Sequence, residues 1–228
     1  MVNEMMDRPI IQADVLSFLR VNQRPFGGKL KALQDFANDN KMPIIPHETA
    51  VFLQFFLQTL KPQNILEVGT AIGFSAALMA LATPDDTHIT TIDRYKLMST
   101  RARENFANMG LDERITLIDG DAEDLLPKMS EDASCDNKFD FIFLDCAKSK
   151  YIQFLPFCLK MLADDGVIMI DDIFQAGTIF DDPSIVKHRR RRIFEGLNQL
   201  LVEANTNPEL ISTSIPLGDG ILLIRRKT

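Results

Sequence analysis

Two aspartates in succession, Asp171-Asp172, close the apolar run Ile168-Met169-Ile170, and Asp145 closes another, Phe141-Ile142-Phe143-Leu144. Neighbouring strands of a parallel sheet lie about 4.8 Å apart, so strand ends of this kind bring their carboxylates to one edge. Three carboxylates held together repel one another and lose hydration unless a cation neutralises them. An all-oxygen set of this type selects a hard divalent ion, Mg²⁺ first, with Mn²⁺ or Ca²⁺ as alternatives. The competing reading, that the aspartates cap helices, fits a pair directly after an apolar strand less well. Lys148 follows Asp145 by three residues, in Asp145-Cys146-Ala147-Lys148. A lysine beside a bound metal gives up its proton more readily and can serve as a general base. Its alternative is a plain ion pair with the aspartates. Cys146 reads as a small buried residue, because no partner histidine is evident.

A second constellation lies earlier in the chain. The run Asn64-Ile65-Leu66-Glu67-Val68 ends in the turn Gly69-Thr70-Ala71-Ile72-Gly73, and a helix-type run, Phe74 to Leu81, follows. Gly69 permits a tight turn, and Gly73 lets the next helix pack close to the strand. An α/β sheet presents a nucleotide-like ligand at such a place. The order is G-x-x-x-G with Glu67 two residues earlier, not the G-x-G-x-x-G of dinucleotide binders, which favours S-adenosylmethionine over NAD. An ordinary strand–turn–helix is the alternative. Asp93 ends the next strand, about twenty residues on, where a carboxylate accepts from ribose hydroxyls; otherwise it is a solvated strand end. Asp121, in Gly120-Asp121-Ala122, suits an adenine contact together with a backbone amide, or a helix N-cap.

The elements that must hold these residues alternate regularly. Strands are expected at Asn64–Val68, His88–Asp93, Arg114–Ile118, Phe139–Leu144 and Val167–Ile170. Helices are expected between them at Phe74–Leu81, Tyr95–Met109, Ala122–Met129 and Lys150–Leu162. That alternation predicts a parallel sheet covered on both faces. A long helix, Ile185 to Ala204, precedes two strands, Leu210–Ile215 and Ile221–Arg225. The hairpin-like linker Pro216-Leu217-Gly218-Asp219-Gly220 predicts one antiparallel closing strand. Seven strands with a terminal hairpin make the plan of a class I S-adenosylmethionine-dependent methyltransferase, a Rossmann-like fold. Three helices, Ile10–Val21, Lys29–Asn40 and His47–Leu60, form an N-terminal extension. The expectation is therefore a single domain over 1–228, with N-terminal helices at 1–62 and the Rossmann-like core at 63–228.

Composition narrows the class. The chain has 228 residues, 46% hydrophobic and with a net charge of -7, enough for one large core and against disorder. No apolar run reaches the ~18 residues that span a bilayer. Met1 to Arg8 carries acidic residues and no apolar signal region, and the three cysteines, Cys135, Cys146 and Cys158, lack C-x-x-C spacing. A cytoplasmic protein with reduced thiols is expected. A general polyanion binder is usually basic, so a nucleic-acid role here needs a local basic patch. Lys187-His188-Arg189-Arg190-Arg191-Arg192 is such a patch, at the start of a helix, where the macrodipole disfavours cations. Clustered arginines supply phosphate contacts, although charge runs are commonly just solvated faces.

From about Met42 to the C-terminus these pieces resemble the cation-dependent O-methyltransferases, the group of the catechol and caffeoyl-coenzyme A enzymes. The motifs carrying the likeness are Glu67 to Ser75, Gly120-Asp121-Ala122, Leu144 to Lys148 and Ile170-Asp171-Asp172. The resemblance implies that Asp145, Asp171 and Asp172 bind the metal, that Lys148 is the base, and that Ile45, Ser75, Asp93, Asp121, Ala122 and Asp145 contact S-adenosylmethionine. The family usually has Asn where this chain has Asp172. Within the family the likeness runs to the bacterial enzymes that methylate 5-hydroxyuridine in tRNA, through Met42-Pro43-Ile44, the glycine turn, Lys187 to Arg192 and Pro216 to Gly220. It implies Mg²⁺ and S-adenosylmethionine as cofactors, tRNA contacts by Lys187 and Arg189 to Arg192, and a homodimer. A small phenolic acceptor, catechol-like or phenylpropanoid, is the alternative substrate.

Overall fold

A computed structural model describes residues 11–132 and 138–227. Ile10, Cys135 and the segment Met1 to Arg8 lie outside the described residues. Among the described residues three helices come first: α1 (Ala13–Asn22), α2 (Gly28–Asp39) and α3 (His47–Leu60). Chain breakers separate them, as expected. Pro25 precedes Gly27 and Gly28, and Pro46 occupies the N-cap of α3 in an extended conformation. Lys61 ends α3 in the left-handed region, at φ 50°.

Strand and helix then alternate as β1 (Asn64–Val68), α4 (Phe74–Ala82), β2 (His88–Asp93), α5 (Lys96–Met109), β3 (Ile115–Asp119), α6 (Ala122–Glu131), β4 (Phe139–Leu144), α7 (Tyr151–Met161) and β5 (Leu162–Ile170). The chain closes with α8 (His188–Thr206), β6 (Leu210–Ile215) and β7 (Ile221–Arg226). The seven strands make one sheet in the order β3-β2-β1-β4-β5-β7-β6. This is the class I methyltransferase plan, with the last hairpin antiparallel.

The described residues divide into two compact units, Leu16–Leu125 and, together, residues 11–15, 126–132 and 138–227. In the first, β1 pairs in parallel with β2 from Asn64↔His88 to Val68↔Ile92, and β2 with β3 from Ile89↔Ile115 to Asp93↔Asp119. Ile65, Leu66, Glu67 and Val68 are all buried, as a strand covered on both faces requires.

In the second unit β4 runs parallel to β5 and β7 antiparallel to both β5 and β6. Phe141, Ile142, Phe143 and Leu144 are wholly buried, each contributing roughly 1.5–3 kcal/mol relative to exposure. The start of β5 differs from expectation. β5 begins at Leu162 rather than Val167, because Ala163-Asp164-Asp165-Gly166 bulges between the pairs Phe139↔Leu162 and Phe141↔Val167 instead of ending the pairing. The last helix starts at His188, not Ile185. Asp182 holds the preceding turn, its carboxylate accepting from the Ser184 amide at 2.8 Å and its carbonyl from the Ile185 amide at 3.0 Å.

Candidate active site

The first unit builds a tight turn at the carboxyl ends of β1 and β2. Gly69 and Gly73 have φ of 110° and 83°, and Ala71 between them is also left-handed at 45°. A Cβ on Gly73 would fall 2.5 Å from the Phe106 ring and 3.2 Å from the Ala102 methyl, so only glycine lets α5 pack this close. Asp93 braces the turn: one oxygen accepts from the Ala71 amide and the other from the Tyr95 amide, each at 2.8 Å. Both oxygens retain a second lone pair for a hydroxyl donor.

Beneath the turn lies a buried polar cluster. Glu67, wholly buried, accepts hydrogen bonds from the hydroxyls of Ser75 and Thr91, and Thr91 meets Thr70 at 2.5 Å. Glu67 and Ser75 thus hold each other under the turn. Asp121 caps α6, its Oδ1 accepting from the Glu123 amide at 3.0 Å, while Oδ2 pairs with Arg94 at 3.2 Å. The N-cap reading of Asp121 is therefore realised, with one oxygen on a partly exposed guanidinium. Ile45 is buried ahead of α3, and Ala122 is buried at the first position of α6. Two part-exposed acids at adjacent strand ends suit the hydroxyls and amine of a nucleoside.

The second unit carries the acids of the other constellation. The Asp171 amide donates to the Leu144 carbonyl at 3.0 Å, carrying the β4–β5 register one step past both strands. That step sets Asp171 beside Asp145. Asp172 follows in the left-handed region at φ 60°, a conformation that Asp and Asn adopt more readily than most residues. Asp171 and Asp172 are buried, and the Oδ1 of each lacks a hydrogen-bond partner. Burial first, then the Asp172 charge, pushes the Asp145 carboxyl up to about 7. Burial, with Asp172 and Asp145 next, also raises Asp171, and burial raises Asp172.

Lys148 opens a short 3-10 turn, Lys148–Lys150, and its ammonium lies 3.0 Å from Asp172 and 3.7 Å from Asp219. Among the described residues no group of three or more His, Cys, Asp or Glu side chains is arranged to hold a metal ion as it stands. The donor chemistry nonetheless fits a hard divalent cation: two orphan carboxylate oxygens on successive residues, with Asp145 close enough to be repelled.

Two residues join this group that the sequence did not single out for a role. Asp219, buried in the β6–β7 turn, is the second carboxylate facing Lys148, and burial first, then the Asp172 charge, raises its carboxyl to about 6. Tyr151 is wholly buried, accepts from the Cys146 amide at 3.2 Å and donates back to the Cys146 carbonyl at 3.4 Å. It pins the loop between Asp145 and Lys148. The helix that begins with the proposed RNA-binding residues packs, further along, on the turn that carries Lys148. A Cβ on Gly196 of α8 would lie 3.1 Å from the Ser149 carbonyl, so the arginine helix backs the lysine turn. Lys187 is its N-cap, and Arg189, Arg191 and Arg192 are exposed.

A family model described as O-methyltransferase matches residues 28–227. The chain belongs to that family. This O-methyltransferase is 28% identical over 194 residues to tapetum-specific methyltransferase 1 of Arabidopsis thaliana, covering 85% of this chain and 82% of the relative. It is 28% identical over 174 residues to a caffeoyl-CoA O-methyltransferase of Stellaria longipes, covering 76% and 72%. The resemblance to the caffeoyl-CoA group is thereby borne out. Among solved structures, the SAH-bound Podospora anserina methyltransferase PaMTH1 superposes with a TM-score of 0.81 at 23% identity, covering 100% of this chain and 97% of that one. TomG of Streptomyces achromogenes, solved with SAM, gives 0.79 at 19% identity with full coverage of both chains. These two show the fold. No helix among the described residues of the O-methyltransferase is long and apolar enough to cross a membrane.

Proposed function

We propose that this O-methyltransferase uses S-adenosylmethionine and Mg²⁺ to methylate 5-hydroxyuridine at the wobble position, 34, of tRNA, giving 5-methoxyuridine, and that it works in the cytoplasm as a homodimer. The observation carrying the substrate is the run Lys187 to Arg192. It opens a helix whose first turn has no acidic residue, against the macrodipole, in a chain of net charge -7. The macrodipole disfavours that placement, whereas phosphate binding favours it. The helix also packs through Gly196 on the turn that carries Lys148.

S-adenosylmethionine would supply the methyl group, with the Gly69–Gly73 turn over Glu67 and Ser75, together with Asp93, Asp121, Ile45 and Ala122, holding it. Asp145, Asp171 and Asp172 would hold a divalent cation, whose charge would favour loss of a nearby hydroxyl proton. A 5-hydroxyuracil offers O4 and its hydroxyl as adjacent donors, as a catechol offers two vicinal oxygens. Lys148, once its ammonium has released its own proton to solvent, would accept the hydroxyl proton at Nζ as the neutral amine. The buried acids fix the lysine's position, and positioning with charge stabilisation provides most of the rate gain.

Replacing Arg189, Arg190, Arg191 and Arg192 with glutamine tests the substrate. Binding of hydroxylated tRNA should weaken alike for all sequences, and each lost phosphate contact should lower the log–log salt slope by roughly 0.7–0.9. Turnover of a small catechol should hold. The second reading, a small phenolic acceptor, is favoured by the relatives named as caffeoyl-CoA O-methyltransferases. It wins if the unaltered enzyme turns over catechols but never tRNA.

A further inference from the structure

Lys148 stands between two carboxylates that are held very differently. Asp172 lies at 3.0 Å, within hydrogen-bond reach, and Asp219 at 3.7 Å, beyond it. Asp219 is locked to the loop after β5. Both its oxygens face the Ala176 amide, at 2.8 and 2.9 Å. The Phe174 amide donates to its carbonyl at 2.9 Å, and the Ile173 amide donates to Gly220 at 3.1 Å. Gly220 has φ 91°, and a Cβ there would fall 2.3 Å from the Phe174 ring, so the turn is pressed against the loop where only glycine fits. Asp219 is thus a fixed anion with outer lone pairs left for a lysine. Asp172, in contrast, has a second oxygen that is buried and unpartnered, as has Asp171.

A cation taking those oxygens would face the Lys148 ammonium across one carboxylate, and like charges at such short range repel. The lysine then needs another anion within a short swing. We infer that Asp219 is a positioning residue: it receives Lys148 when a divalent cation takes Asp172, keeping Nζ beside the acceptor hydroxyl. This rests on the cation-dependent reading above. A purely structural Asp219 would anchor the Ile173–Gly177 loop without coupling to the lysine.

The test is a double-mutant cycle on Mn²⁺ affinity, measured calorimetrically on the full chain without acceptor. Asp219→Asn should weaken Mn²⁺ binding about tenfold with Lys148 present. In a Lys148→Met background the same change should cost about twofold, because only its bare charge is then lost. Equal losses in both backgrounds, or none in the first, overturn the inference while leaving the cation site standing. Failure of the unaltered protein to bind Mn²⁺ removes the cation reading and the inference together. Should Asp219→Asn not fold, a crystal structure of the unaltered protein with Mn²⁺ decides. Lys148 Nζ within hydrogen-bond distance of Asp219 supports the transfer; Nζ still on Asp172 overturns it.

Discussion

Glu67 and Asp171 are both buried carboxylates near strand ends of the same sheet, and they are treated in opposite ways. Glu67 is wholly buried, yet two hydroxyls satisfy it, and it closes a cluster with Ser75, Thr91 and Thr70. Asp171 is just as deep, yet one oxygen has no partner and its neighbours are two more acids. A buried charge with its hydrogen bonds made is a brace; one left unmade costs stability and persists where a ligand completes it. The turn region is therefore complete in the bare protein, whereas the acid region is built for something further.

That contrast predicts opposite consequences for loss of each acid. The largest effect should come from Asp171→Ala: methyl transfer should fall at least about a hundredfold while circular dichroism stays unchanged, and EDTA should do the same to the unaltered enzyme. Retained transfer in chelator would erase the distinction between the regions. Glu67→Ala should act on the fold instead, lowering unfolding free energy in denaturant by at least about 2 kcal/mol as two charged hydrogen bonds vanish.

pH sharpens the comparison. The carboxyls of Asp145, Asp171, Asp172 and Asp219 are raised in the fold, to about 7 for Asp145 and about 6 for Asp219, from an ordinary 3.8. The folded state thus holds protons that the unfolded chain has released. Stability from Asp145 and Asp219 is full below about pH 4 and is lost as pH climbs from there through about 7, and Asp171 and Asp172 act in the same direction. Metal-free protein should melt lower at pH 8 than at pH 5.5, and Mg²⁺ should narrow the gap. Asp171→Asn should flatten the metal-free slope, since it removes one of the charges. The smallest effect should be Asp172→Asn, with activity within about threefold: Asn tolerates the φ of 60° and still offers an oxygen.

The sequence made the strand ends legible because apolar runs terminated by Asp or Gly are local signals. Asp145, Asp171, Asp93 and the Gly69–Gly73 turn all fall at such places. Asp219 was not legible as a site residue. It lies in a turn that reads as a hairpin linker, and only the antiparallel register Ile170↔Leu222 carries it back to the residues after β5. The β5 start was misread for a related reason, since a bulge and a chain break share the same Asp-Asp-Gly chemistry. Tyr151 was hidden because an aromatic at a helix start gives no sign that its hydroxyl will hold the loop before it.

The most direct measurement is nucleoside mass spectrometry of tRNA carrying 5-hydroxyuridine, incubated with the full chain and S-adenosylmethionine, with and without Mg²⁺. The account predicts 5-methoxyuridine at the wobble position only when the cation is present. Product formed equally in chelator, or hydroxylated tRNA left unmethylated by an enzyme that turns over catechols in the same buffer, would contradict it.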